Sequence, residues 1–447
     1  MRRTSGFRSG TTLAGSFLST SLFCWMTLCA LTFAPHLHAQ DGDPKQRAKA
    51  VRDLAKQGDD SVPKIAAYIT DPDIGVRVEA TKALVEIGGP KTLDGLIRAA
   101  GDNDPEVQIR ATDGIVNVYL PGYVKNGLSG TLSRAGSSVK GRFTDTNDQI
   151  IDAFVQVRPE AITALGKLAR GGNGMDSRAN AARAVGVLRG RAALPDLIDA
   201  LHSKDDKLMY ESLVAVQKIG DPSAAPRIAF LLKDLEERIQ IQALETTGLL
   251  KNKEAAKDVR DALEHARTVK IRRAALGALA LIADPADRAL LAANIKDKDD
   301  GVRAAAAEGL GRIGNSVDRD AVMQAYNSER GMSPRLAAAY AMVSLGERDI
   351  GRYSPLRYLV NSLNQRSWRG VAIAYVIELA RSADVRKSIY AMLVESSKDE
   401  KIQLSIVLAA SGDKDSESVL EGLSRDADPD VAAEGIRGLR TLRARLR

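Results

Sequence analysis

The sequence predicts an all-α fold, a right-handed α-solenoid of about twelve or thirteen stacked helix pairs. Three observations lead there. A motif returns about every 31 residues through most of the 447-residue chain. Within each copy the apolar positions share one face of a 3.6-residue period. Small residues gather on one helix of each pair and large ones on its partner, so that neighbouring units can close tightly.

The motif is clearest at Val76-Arg77…Ala80…Ala83-Leu84…Ile87-Gly88 and Val302-Arg303…Ala306…Gly309-Leu310…Ile313-Gly314. With the Val-like position as zero, copies fall at Gln46, Val76, Val107, Ser177, Leu208, Ile239, Ile271, Val302, Pro334, Trp368, Ile402 and Val431. Neighbouring copies are 29 to 34 residues apart, apart from one step of 70 between Val107 and Ser177. Offset +4 is small in Ala50, Ala80, Ala111, Ala181, Ser212, Ala243, Ala275, Ala306, Ala338, Ala372 and Gly435, and Ile406 is the exception.

Each unit reads as two helices. Acidic residues at offset −3 (Asp73, Asp104, Asp205, Glu236, Asp299, Asp399, Asp428) suit the start of the small-residue helix, aspartate being a good N-cap. Pro72, Pro105 and Pro429 support a chain break just before it. Glycine at +12, as in Gly88, Gly220, Gly314 and Gly346, suits the residue that ends it. The partner helix carries Leu93, Leu96 and Ile97 in one unit and Leu194, Leu197, Ile198 and Leu201 in another. Arginine recurs at +1 as Arg47, Arg77, Arg178, Arg272, Arg303, Arg335 and Arg369. Its planar, bidentate donors fit a ladder of Arg–Asp contacts between neighbouring units better than catalysis.

The pattern D-x-x-V-R-x-x-A-x-x-A-L-x-x-I-G resembles the second half of a HEAT-like repeat, in the short form named after phycobilisome lyases. The resemblance covers nearly all of residues 44–447 except an irregular insertion at about 121–149. It implies fold strongly and function weakly, since such repeats serve many tasks. Relatives of the short repeat handle bilin pigments, but only structural positions are shared here, and a chain with no cysteine beyond residue 39 is an ill-suited place for bilin attachment.

Residues 1–39 stand apart. Arg2, Arg3 and Arg8 precede an apolar stretch from Leu13 to Ala34, and Leu37-His38-Ala39 offers a small residue before Gln40. This is the pattern of a secretory signal peptide cleaved after Ala39, the alternative being a retained membrane anchor, since the apolar stretch is long enough to span a bilayer. Both cysteines, Cys24 and Cys29, lie within it, so a mature chain would form no disulfide and use no thiolate chemistry. The 64 basic residues, less those three arginines, leave 61 against 57 acidic ones. Such a balance, dispersed along exposed faces, reads as solvation and argues against a nucleic-acid binder. The one dense basic run is Arg437, Arg440, Arg443, Arg445 and Arg447, which suits the C-terminal end of a capping helix.

Chemistry-bearing patterns are sparse. His202 and His265 are the only histidines after the leader and have no neighbouring ligand at i+3 or i+4. No G-x-S-x-G, P-loop or H-E-x-x-H motif occurs. No catalytic residue, metal site or cofactor is expected.

Two regions are candidates for partner binding. In the insertion, Tyr123, Lys125, Arg134, Lys140, Arg142 and Phe143 interleave aromatic and basic residues among glycines and serines, so the segment either grips a partner or is tolerated. Along the solenoid, offsets +3, +6 and +10 point away from the packing positions, toward the concave side if the resemblance holds. They are polar in early units (Glu79, Lys82, Glu86) and small or apolar later, at Ala274, Gly277, Leu281, Ala305, Ala337, Tyr340, Val371 and Ala374. These eight form either an exposed binding stripe or a set facing one another across a narrow concavity. The expected function is a non-catalytic, exported scaffold, periplasmic or secreted, that binds a protein or peptide along its concave face. Alternatives are a self-associating envelope component and an accessory of a lyase or other enzyme. No nucleic-acid partner is expected, and no transmembrane segment after cleavage.

Overall fold

A carboxylate that can take up the free amides of a first turn begins most of the small-residue helices. Asp73 Oδ1 accepts the Val76 amide at 3.1 Å, Asp205 that of Leu208 at 2.8 Å, and Asp299 that of Val302 at 3.1 Å. This computed structural model describes residues 42–123, 149–152 and 154–447. Within them are twelve such inner helices: α1 (Pro44–Ala55), α2 (Ile74–Ile87), α3 (Pro105–Tyr119), α4 (Met175–Val187), α5 (Asp206–Ile219), α6 (Glu237–Leu249), α7 (Val269–Ile282), α8 (Asp300–Ile313), α9 (Met332–Ser344), α10 (Arg366–Leu379), α11 (Lys398–Ser411) and α12 (Pro429–Leu446). Outer helices, most of them shorter, alternate with them, among them Leu93–Ala100, Pro159–Gly171 and Ala256–Glu264. No strand occurs among the described residues.

Every inner helix packs on its successor, α1 on α2 through to α11 on α12. The chain is an α-solenoid. α3 lies directly against α4, so the 70-residue step does not interrupt the stack. The leader expected over 1–39 and residues 124–148 of the insertion lie outside the described residues. Beyond the insertion, Ile151 is buried and its amide bonds to Val187 O at 3.0 Å.

Small side chains let the inner helices approach backbone to backbone. A Cβ added to Gly186 would stand 2.8 Å from the Ala215 Cα, one on Gly248 2.7 Å from the Ala278 Cα, and one on Gly311 2.6 Å from the Ala341 Cα. Glycine at +9 on one helix therefore faces alanine at +7 on the next in three of the helix pairs, α4–α5, α6–α7 and α8–α9. The +4 residues Ala80, Ala111, Ala243, Ala306 and Ala372 are fully buried.

The arginine ladder exists, and its partners form a second motif. In Asp102-Asn103-Asp104 the first carboxylate accepts Arg77 from the preceding unit at 2.7 and 3.0 Å and also the Asp104 amide at 2.8 Å. Asp104 then caps α3 through the Glu106 and Val107 amides. Asp71-Pro72-Asp73 does the same for Arg47, as does Asp297-Lys298-Asp299 for Arg272. One D-x-D triplet thus staples the previous unit and starts the next helix. Two ladder positions differ. Arg178 donates to the Ala169 and Arg170 carbonyls, and Arg335 lies over the rings of Tyr326 and Tyr358.

The eleventh unit begins two residues earlier than its sequence register at Ile402. Ser397 caps α11 in a reciprocal box with Glu400, in place of the cap that the register assigns to Asp399; Asp399 instead accepts Arg369 at 3.2 Å. Lys401 takes the ladder position and reaches Asp426 at 2.8 Å. Counting from Glu400 puts fully buried Leu404 at +4, which removes the anomaly at Ile406.

Seven inner helices end on a left-handed residue at +12: Gly88, Gly220, Gly314 and Gly346, but also Arg189 (φ 49°), Lys251 (φ 52°) and Ala283 (φ 55°). Asp221, Asn252, Asp284 and Asn315 come next at +13, each accepting an amide two residues on.

The staple and the cap should separate in mutants. Asp102→Ala leaves the Arg77 guanidinium without its carboxylate, held only by Asn103 and the Asp71 and Pro72 carbonyls, and is expected to cost about 2–3 kcal/mol. Asp104→Ala removes only a cap and should cost about 1 kcal/mol. Urea-unfolding midpoints of the two variants check this, and equal losses would show that the Arg77 contact adds nothing beyond turn geometry.

Candidate functional site

The offsets +3, +6 and +10 do face inward together, and the size of the residues there decides what happens. On α8–α10 Glu308, Arg312, Tyr340 and Glu378, at +6 or +10, are large, and together with Tyr375 they meet. The Arg312 guanidinium donates to Glu308 at 2.9 Å on its own helix and to Glu378 of α10 at 3.0 and 3.1 Å. The Tyr375 hydroxyl donates to the Glu308 carboxylate. The rings of Tyr340 and Tyr375 stack with centroids 4.9 Å apart. Lys251, at the end of α6, comes within 3.6 Å of Glu378. Side chains from the sixth, eighth and tenth units can meet only if the stack bends toward this face.

The clasp is dry enough to move its ionisable groups. Burial drives the Tyr375 hydroxyl well above the ordinary tyrosine range, with Glu308 adding to the effect. Burial does the same to Tyr340. Burial alone would raise Glu378 as well, but the Arg312 guanidinium outweighs it and holds the carboxyl below its ordinary range. A recess of about 370 Å³ remains beside the clasp, with Lys251, Tyr340, Ser344, Arg348 and Glu378 in its wall.

On α7 the +3 and +6 residues are only Ala274 and Gly277, and a cleft of about 480 Å³ stays open between α7 and α6. Ala274, Gly277 and Leu281 of α7 form one wall, and Ile241, Glu245 and Leu249 of α6 the other. A Cβ on Gly277 would meet nothing within 4 Å, so the floor there is empty space. Leu249 is 45% exposed. Glu245 reaches solvent, yet the apolar walls crowd its carboxyl and hold it above the ordinary carboxylate range. Lys270 and Arg273 on the rim are paired with Glu237 and Asp299.

The eight solenoid candidates therefore divide. Ala274, Gly277 and Leu281 share the open cleft, Ala274 as part of its buried floor. Ala305, Ala337 and Tyr340 are buried in helix packing and the clasp, so the chain itself occupies the places where a partner would touch them. Val371 is half-buried against the core, and Ala374 is exposed beside it. Trp368, at a Val-like position of the repeat, is half-buried against the core. Of the insertion residues, Tyr123 is half-buried against the core, with its amide on Leu120 O at 3.1 Å. Lys125, Arg134, Lys140, Arg142 and Phe143 lie outside the described residues. Sequence reasoning passed over Glu245, Leu249, Arg312, Tyr375 and Glu378. Glu245 sits at +6 in its unit, and Leu249, Arg312 and Glu378 sit at +10, so the regular offsets made these four findable. Tyr375 sits at +7, a packing offset, and carried no such signal.

His202 stacks on Phe230 at 4.8 Å, and His265 Nδ1 lies 2.8 Å from the Asp261 carbonyl. Among the described residues no cluster of His, Cys, Asp or Glu could hold a metal ion, and no helix is long and apolar enough to cross a membrane.

The profile of the family described as HEAT repeats matches residues 33–115, 224–311 and 269–343. No curated protein matches the chain. Among solved structures the chain is similar to the complex of CpcE and CpcF of phycocyanin lyase from Nostoc, at 20% identity over 59% of this chain and 91% of that one, with a TM-score of 0.36. It is similar to YibA of Escherichia coli at 13% identity over 68% and 98%, with a TM-score of 0.39. It is also similar to human deoxyhypusine hydroxylase in complex with glycerol, at 16% identity over 66% and 98%, with a TM-score of 0.25.

The clasp makes a pH prediction. Tyr340 and Tyr375 ionise at higher pH in the folded chain than the value of about 10 expected when unfolded. Their stabilising contribution is complete below about pH 10 and is lost as pH rises through the folded values. Tyrosinate absorbance should therefore show these two ionising only together with loss of helical circular dichroism, and Tyr375→Phe should remove one of the two late steps. Reversible titration of every tyrosine near pH 10 in a folded chain would contradict a buried clasp.

Proposed function

The chain belongs to the HEAT-repeat family, and from that premise we propose that it is a non-catalytic, exported scaffold that binds a protein or peptide along the inner face of its solenoid. The open α6–α7 cleft carries this reading. An apolar recess left unfilled between two helices, in a stack that closes its inner face with tyrosines and ion pairs at α8–α10, is a place for another chain's side chain. Repeats of this kind present extended surfaces assembled from many units, and affinity then comes from surface complementarity. Support for export comes from residues 1–39: a basic start, an apolar stretch and a small residue at Ala39. Periplasm and full secretion share this signal.

The test is photo-crosslinking in the native cells. A benzophenone amino acid at Gly277 should capture a protein, while one at Val317, 65% exposed on an outer turn, should not. N-terminal sequencing of the same material should begin at Gln40. Equal capture at both positions, or none at Gly277, would contradict binding along the inner face, and an intact Met1 would contradict export.

A further inference from the structure

We infer that the α6–α7 cleft seats an apolar side chain of a peptide segment whose adjacent lysine or arginine pairs with Glu245. The inference rests on the scaffold reading and specifies the partner's chemistry at one site.

Three features define the occupant. The first is shape. From Ile241 to Leu249 along α6 is eight residues, or about 12 Å at 1.5 Å per residue, so the trough matches about two turns of a docked helix. The second is an unfilled apolar floor. Gly277 leaves empty space where a side chain would stand, and Leu249 and Leu281 line the far end.

The third is charge. Glu245 is the carboxylate in the cleft wall, and among the described residues it has no hydrogen-bond or ion-pair partner. The cations nearest to hand are committed: Lys270 Nζ lies 3.3 Å from Glu237, and Arg273 donates to Asp299 at 2.6 Å. Covering the cleft with a purely apolar partner would bury Glu245 unpaired, which is costly, and an acidic partner would add repulsion. A basic residue beside the apolar anchor removes the penalty and supplies a charge-assisted hydrogen bond. The apolar walls already crowd the Glu245 carboxyl and raise its pKa, so pairing should strengthen as water leaves. The preferred segment is therefore amphipathic and basic.

The experiment measures polarisation of a fluorescein-labelled, helix-forming peptide of about 14 residues with leucines at i and i+4 and lysines beside them. A twin carries glutamate for lysine. The full chain, and the same chain with Gly277→Leu or Glu245→Gln, are titrated against both peptides. The Leu/Lys peptide should bind in the micromolar range and the Glu twin about tenfold more weakly. Gly277→Leu, whose Cβ would stand clear of every neighbour, puts bulk on the floor and should weaken the Leu/Lys peptide about tenfold while helical circular dichroism is unchanged. Glu245→Gln should abolish the preference between the two peptides while leaving most of the leucine-dependent affinity. No binding by the Leu/Lys peptide, or binding unaffected by Gly277→Leu, overturns the inference, as does a lysine preference that survives Glu245→Gln. Those results leave the scaffold reading intact if Gly277 still captures a protein in cells.

Discussion

The rest of the structure depends on how closely one inner helix can lie against the next. Glycine on one side and alanine on the other bring backbones together at Gly186–Ala215, Gly248–Ala278 and Gly311–Ala341. Close approach buries apolar surface that no single helix pair could cover alone. It also brings the D-x-D turn of one unit within reach of the preceding arginine, so that carboxylates already needed to form turns can neutralise guanidinium groups removed from water. Packing sets the spacing, and the staples then make the register specific, because a slipped unit would leave both charges stranded.

Curvature turns this regular stack into an irregular inner face. When helices are drawn together on one side, inward-facing residues in units up to four apart converge. Their size then decides whether the face closes. Arg312, Tyr340, Tyr375 and Glu378 are long enough to meet and seal the face at α8–α10. Ala274 and Gly277 are too short, and the face stays open at α6–α7. Lys251 bridges the two regions: it ends α6 in a left-handed conformation that glycine fills in other units, and its amine approaches Glu378. A strained lysine at that junction ties the edge of the cleft to the clasp.

Much of the fold was legible because its determinants are local and repeated. The period placed a helix at all twelve registers, the offset −3 carboxylates cap most of them, and the +1 arginines do bridge units. Two repeated signals went unused: the first aspartate of D-x-D and the Asp or Asn at +13. The eleventh register went astray because Ser397 and Glu400 form a capping box at a place where Asp399 looked like a cap. The inner face was only half legible. Its offsets were right, but an exposed stripe and a self-facing one have the same sequence. Contacts such as Lys251–Glu378 and Arg312–Glu378 span many residues and arise from accumulated curvature, which no single motif encodes. The salt bridge from Arg437 of α12 to Asp152 at 2.7 Å joins residues 285 apart in the same way.

An open cleft beside a closed clasp is most directly tested by thiol reactivity on a chain carrying Cys24→Ser and Cys29→Ser. Gly277→Cys should react with a maleimide at close to the rate of an unfolded control, while Ala337→Cys, on the sealed stretch, should be protected until the helices open. Similar rates at the two positions in a folded chain would show that side-chain size does not divide the inner face, and the cleft would lose its standing as the place where a partner binds.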